Sequence, residues 1–186
     1  QIDLLQLFKN GFSTGHGYLR EPKDIYSYSA LACIAIQANQ NDQHGGQSIP
    51  NFDYGMAEGV GRTYRKTFAR MLAQAIEDRL EVNEASASVN TAIEKAEADT
   101  KEVARIENCE DFDKIIAKEL ASGLNLELSD VERLIARTRK RSLEATDRET
   151  YQAMEGFVHN LNTMHSRAGA QTPFSSINYG TDTTPE

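Results

Sequence analysis

The sequence predicts a mainly α-helical segment with a short β-strand near residues 172–179. Three observations lead there. Met56, Val60, Tyr64, Phe68, Met71, Leu72, Ile76 and Leu80 recur at helical spacing and draw one apolar stripe along a long helix. Ser129-Asp130-Val131-Glu132 has the form of a capping box, in which Ser and Glu side chains each satisfy a backbone N–H, and Thr146-Asp147-Arg148-Glu149 repeats the signal. The run from Thr172 to Tyr179 reads as a strand, with Pro173 near its start, where a missing N–H is tolerated.

Taken in order, residues 2–9 are dense in apolar side chains and predict a short helix ended by Asn10-Gly11. A loop rich in Gly and polar residues covers 11–24. The next helix, over 25–40, is apolar almost all round in its middle, which implies burial on most sides. The polar residues of 39–48 surround the Gly45-Gly46 pair and need partners if that loop is buried. The striped helix spans 56–82. Residues 83–111 are rich in Ala and Glu and are expected to form an exposed helical segment. Phe112, Ile115, Ile116 and Leu120 restart a core-facing pattern closed by Gly123. The helix opened at Ser129 carries Val131, Leu134 and Ile135. A further helix, opened at Thr146, runs to about His165 with Tyr151, Met154, Phe157, Val158, Leu161 and Met164 on its apolar face.

The 186 residues are enough for one sizeable core and are read as a single partial domain. The chain begins at Gln1 without an initiator methionine and stops just after the strand-like run, so both ends are expected to be cuts in a longer chain. A net charge of −8 argues against a nucleic-acid surface, which must neutralise phosphates. No basic-then-apolar leader and no bilayer-length apolar run is present, so no membrane partner is expected. The two cysteines, Cys33 and Cys109, lack metal-ligand spacing and are too few for a disulfide scaffold. Cys33 sits in an apolar run as a small core residue, and a reducing, cytoplasmic setting fits.

Four segments are candidates for function. His44, Gly45, Gly46, Gln47 and Ser48 have the glycines with which backbone amides form an anion nest, though a tight turn after a helix needs the same pair. Ser166, Arg167, Ala168, Gly169, Ala170 and Gln171 join a helix end to a strand start and offer an Arg and an amide, or an ordinary connection with a Gly C-cap. The loop over 16–24 brings acid and base side chains to a helix start, where a solvated loop is the simpler reading. Arg133, Arg137, Arg139, Lys140 and Arg141 crowd together, yet interleaved acids favour a solvated helix end. No phosphate-binding G-x-x-x-x-G-K, no HExxH and no catalytic triad ordering is found.

Three of these regions carry a family resemblance. The runs over 10–22, 36–54 and 160–182 resemble the large subunit of anaerobic (class III) ribonucleoside-triphosphate reductases, whereas 83–145 is similar only in being helical. The resemblance implies a part of a ten-stranded α/β barrel of the glycyl-radical type. It implies an oxidoreductase that makes deoxyribonucleotides by radical chemistry, with a glycyl radical, structural zinc, formate as reductant and nucleoside triphosphates as substrates and effectors. Its implied partners are a second copy in a homodimer and a radical S-adenosylmethionine activase. On that pattern the reacting cysteines, the radical glycine and the zinc ligands lie outside 1–186, so this segment supplies no catalytic residue and binds no metal. The resemblance assigns Arg20 and Glu21 to a first effector loop, Lys66 to an effector phosphate contact, 166–171 to a second loop, and 44–48 to a turn lining the substrate. Two alternatives remain: a non-catalytic helical interaction module, and a glycyl-radical enzyme with a non-nucleotide substrate.

Overall fold

The computed structural model describes residues 2–13, 18–42, 45–101, 110–163, 172–180 and 182–183. It contains α1 (Leu4–Asn10), β1 (Phe12–Ser13), β2 (Tyr18–Leu19), α2 (Ile25–Asp42), β3 (Gln47–Ile49), α3 (Phe52–Leu80), α4 (Ala85–Thr100), α5 (Glu110–Leu124), α6 (Leu128–Thr163) and β4 (Ser175–Ile177). The chain divides into two compact units rather than the single one expected. One comprises 1–62 with 148–184, the other 63–147. Each has its own apolar core, so α3 and α6 contribute side chains to both.

In the first unit, Asp3 caps α1 by accepting from the amides of Leu5 and Gln6 at 3.1 and 3.3 Å. Gly11 ends that helix at φ 65°, a left-handed conformation in which glycine carries no Cβ penalty. The segment that follows, where the sequence predicts only a loop, holds a short antiparallel pairing of β1 with β2. A reciprocal cap opens α2: the Ser27 amide donates to Asp24 Oδ1 at 3.0 Å, and the Asp24 amide donates to Ser27 Oγ at 3.0 Å. Ile25, Tyr28, Ala32, Cys33 and Ile36 of α2 are buried with Leu4, Phe8, Phe52, Met56 and Phe157. Phe8 lies against Tyr28 at 4.6 Å between ring centroids, and Phe52 against Phe157 at 4.9 Å.

β3 and β4 pair in parallel, with Gln47 opposite Ser175 and Ile49 opposite Ile177. The strand expected near 172–179 is therefore present over its central residues. Its partner lies in a segment read only as a polar loop.

The second unit packs α4 and α5 with parts of α3 and α6 around Tyr64, Phe68, Leu72, Ile76, Ile93 and Ile116. The exposed segment expected across 83–111 is corrected over its described part. In α4, Ala85, Val89, Ala92, Ile93 and Ala96 are buried, a narrow stripe of small residues that allows close helix packing without large apolar side chains. Glu77 of α3 caps α4 by accepting from the Ala85 amide at 2.8 Å. α5 ends one turn position later than Gly123. Asn125 takes the left-handed conformation at φ 53°, and the Leu126 amide reaches back to the Ala121 carbonyl at 2.9 Å, a Schellman closure.

The two capping signals at 129 and 146 do not open two helices. α6 is one helix of 36 residues. Its first turn is closed on the Glu127 carbonyl, which accepts from Asp130 and Val131 at 3.1 and 3.2 Å. Thr146 is buried and donates back to the Ser142 carbonyl at 2.8 Å, the alternative a mid-helix Thr has to capping. Of the apolar face expected for 151–164, Phe157 is buried, while Tyr151 and Val158 are exposed and Ala153 takes the inner position. Among the described residues no helix is long and apolar enough to cross a membrane.

Candidate functional site

The candidate residues fall in different parts of the chain. Arg20 and Glu21 precede the α2 cap and are both exposed. Glu21 is held by Arg62 of α3, whose guanidinium also donates to Glu58 Oε1 at 2.6 Å and to the Pro22 carbonyl at 3.0 Å. Pro22 is buried. The loop before α2 is thus pinned to α3 through one cation. Arg62 also stands 6.0 Å from the Tyr28 ring centroid. Burial pushes the Tyr28 hydroxyl up to about 12, helped by Glu58 and opposed by Arg62. Burial draws the Arg62 guanidinium down, but its hydrogen bonds to Glu58 and Glu21 outweigh that and its pKa is raised.

A second cluster surrounds β3. Gly45 has φ 106° and Gly46 packs so closely on Phe174 that a Cβ there would lie 2.9 Å from the ring. The Gln47 amide donates to the Phe174 carbonyl at 2.9 Å, so it serves strand pairing and not an anion nest. The Gln47 side chain is buried and accepts from Asn39 Nδ2 at 2.9 Å. The Ser48 carbonyl accepts from the Ile2 amide at 3.1 Å. Gln40 Nε2 reaches the Thr172 carbonyl at 3.4 Å. One turn earlier on α2, the buried Gln37 Nε2 has no partner among the described residues. Where the chain leaves β4, Asp53 accepts from the amides of Gly180 and Asp182 at 2.6 and 3.0 Å.

His44, Ser166, Arg167, Ala168, Gly169 and Gln171 lie outside the described residues, as does His16. Lys66 belongs to the second unit. It is exposed and lines an open cleft of about 600 Å³ with Arg65, Arg70, Glu77, Ser86 and Asn90. Arg65 there is committed to Glu97 through two contacts of 2.5 and 2.9 Å. Among the described residues no three His, Cys, Asp or Glu side chains cluster as for a metal ion.

The sequence does not single out Arg62 or Asp53, and it marks Asn39 only as one of a polar run in need of partners. Glu58 and Arg62, four apart in a helix, were the one local signal available. The contacts of Asn39 and Asp53 depend on β3 and β4, which meet across more than a hundred residues.

Two of the resembling runs, 36–54 and 160–182, are joined by the β3–β4 pairing. A family model described as anaerobic ribonucleoside-triphosphate reductase matches residues 1–186. A relative described as anaerobic ribonucleoside-triphosphate reductase, from Enterobacteria phage T4, is 23% identical over 182 residues, or 98% of this chain. The chain spans about a fifth of that relative's length, at 20%. The match over the whole chain places it in a family of oxidoreductases, and the chain belongs to the anaerobic ribonucleoside-triphosphate reductase family.

Proposed function

We propose that this chain is the part of an anaerobic ribonucleotide reductase that binds allosteric nucleotides and walls the substrate pocket. In this reading the whole protein, a homodimer built on a ten-stranded α/β barrel, reduces ribonucleoside triphosphates by glycyl and thiyl radical chemistry. The β3–β4 pair is a portion of that barrel. Formate and the radical are supplied elsewhere in the protein, and none of the residues here reacts.

The single observation behind the reading is the family match across 1–186. Geometry is consistent with a positioning role. The loop carrying Arg20 and Glu21 has a fixed base, through Arg62 and the buried Pro22, and an exposed rim. Asn39 of α2 holds Gln47 of β3, and Gln37 retains a buried donor that a ligand group can use. An allosteric loop needs a rigid base and a part that binds different nucleotides with different free energy.

The test is effector binding by the full-length protein carrying Lys66→Glu. Reversing one charge at a phosphate contact is expected to raise the effector Kd by roughly tenfold or more. An unchanged Kd removes Lys66 from the proposal.

A further inference from the structure

The second unit holds a cleft of about 490 Å³ between α3 and α6, which adjoins the Lys66 cleft through Gln74 and Asp78 but does not include Lys66. Met71 and Ala75 of α3 and Leu134 of α6 form an apolar floor. Arg79 of α3 and Arg137 and Arg141 of α6 stand around it, with Asp78 as the one carboxylate in the lining. Residues 71, 75 and 79 follow one ridge of α3, and 137 and 141 are one turn apart on α6, so the cations are delivered by regular helix geometry.

These three arginines differ from the paired ones nearby. Arg139, in the same basic run, turns inward to Asp113 at 2.5 Å and to the Tyr64 hydroxyl at 2.9 Å. Arg133 pairs with Asp130 at 3.5 Å, and Arg65 pairs with Glu97. Arg79, Arg137 and Arg141 are exposed and, like Arg70 and Lys140, have no ion pair or hydrogen bond among the described residues, but these three share one cleft. In a chain of net charge −8, an unpaired cationic cleft is not a by-product of general basicity. The basic run expected as a solvated helix end is therefore divided: Arg139 is an inward ion pair, Arg133 an outward one, Arg137 and Arg141 are part of a cleft wall, and Lys140 is exposed as expected.

We propose that this cleft binds a small organic polyphosphate, with phosphates on Arg79, Arg137 and Arg141 and an apolar body on Met71, Ala75 and Leu134. Guanidinium forks match phosphate oxygens in pairs and favour multiply charged anions. The volume lies within the range of small-molecule sites, which usually combine an apolar lining with a few convergent polar groups. The hydroxyl-bearing Thr138, only 3% exposed, also lines the cleft. The inference goes beyond the effector reading and does not depend on it.

The test is calorimetric titration of the full-length protein with inorganic tripolyphosphate, in the unaltered form and in a Lys66→Glu background. Arg137→Ala/Arg141→Ala is expected to weaken one binding event per chain by about tenfold or more in both backgrounds. Arg133→Ala, on the same helix but paired away from the cleft, is expected to leave it unchanged. If the double variant melts early, Arg137→Gln and Arg79→Gln, which keep most of each side chain, carry the test instead. Binding that is insensitive to the cleft variants, binding lost only with Lys66→Glu, or tighter binding of an Asp/Glu-rich peptide than of tripolyphosphate would each overturn the proposal.

Discussion

Arg62 of α3 grips the carboxylate of Glu21 while donating to the Pro22 carbonyl, so a single guanidinium ties both a side chain and the backbone of the loop before α2. The side chains of Arg62 and Glu21 are 34% and 52% exposed, so the pair contributes at most about 1 kcal/mol to stability. Its consequence is positional. Arg62→Ala is expected to leave the melting temperature nearly unchanged and to speed hydrogen exchange at the amides of 20–24. Under the proposed effector role it also raises the effector Kd several-fold. Exchange rates equal to those of the unaltered protein would show that Pro22 burial alone fixes the loop.

In the second unit, Arg139 and Asp113 form an ion pair with side chains only 11% and 20% exposed, and Arg139 lies 5.4 Å from the Phe68 ring centroid. Burial lowers the Arg139 guanidinium, but Asp113 and Tyr64 outweigh that and hold its pKa up. Removing one partner strands the other, so Asp113→Ala is expected to cost roughly 3 kcal/mol in urea unfolding. Replacing both by apolar residues of similar volume is expected to cost much less. Equal losses for the single and the double change would contradict this.

Gly59 allows α3 to approach α2. A Cβ at this position would sit 2.7 Å from Tyr28 Cγ. Tyr28 is 1% exposed and already packed at a tilt against Phe8, so the ring has no room to yield. Overpacking of about 1–3 kcal/mol exceeds the roughly 1 kcal/mol by which Ala improves on Gly in a helix. Gly59→Ala is therefore expected to destabilise the protein. A rise in melting temperature would mean that the helices separate freely.

Cys33 makes stability depend on pH. Burial pushes its thiol from 9.0 up to about 11. Below pH 9 both folded and unfolded chains hold the proton. Between 9 and 11 only the folded chain does, so stability falls as pH rises, by about 3 kcal/mol at most. Cys33→Ala should flatten the drop in urea midpoint between pH 8 and pH 10.5. An identical drop in both proteins would assign it to other groups, such as Tyr28.

Features read correctly from sequence were local ones. Gly11 ending α1 and the stripe from Met56 to Leu80 depend on residues within a turn or two, and both appear in the structure. The signal at 129 lies beside the start of α6 at Leu128, whereas the one at 146 failed because a cap motif competes with helix continuation. Tertiary packing of Val131 and Ile135 on one core and Phe157 on the other favours the uninterrupted helix. The alanines of α4 do not signal a core face in the sequence, yet in the structure they are buried and permit close helix approach. Of the candidate residues, Glu21 and Gln47 are expected from the resemblance alone. That Arg62 and Asn39 are their partners is not legible, since only the folded chain brings them together.

The most direct test of the account is the reduction of the four ribonucleoside triphosphates by the full-length, activated protein under anaerobic conditions, with each deoxynucleoside triphosphate as effector. The account predicts deoxynucleotide products whose identity shifts with the effector, and an Arg167→Ala variant that keeps its radical content but loses that shift. No deoxynucleotide product, or one substrate order under every effector, would contradict it.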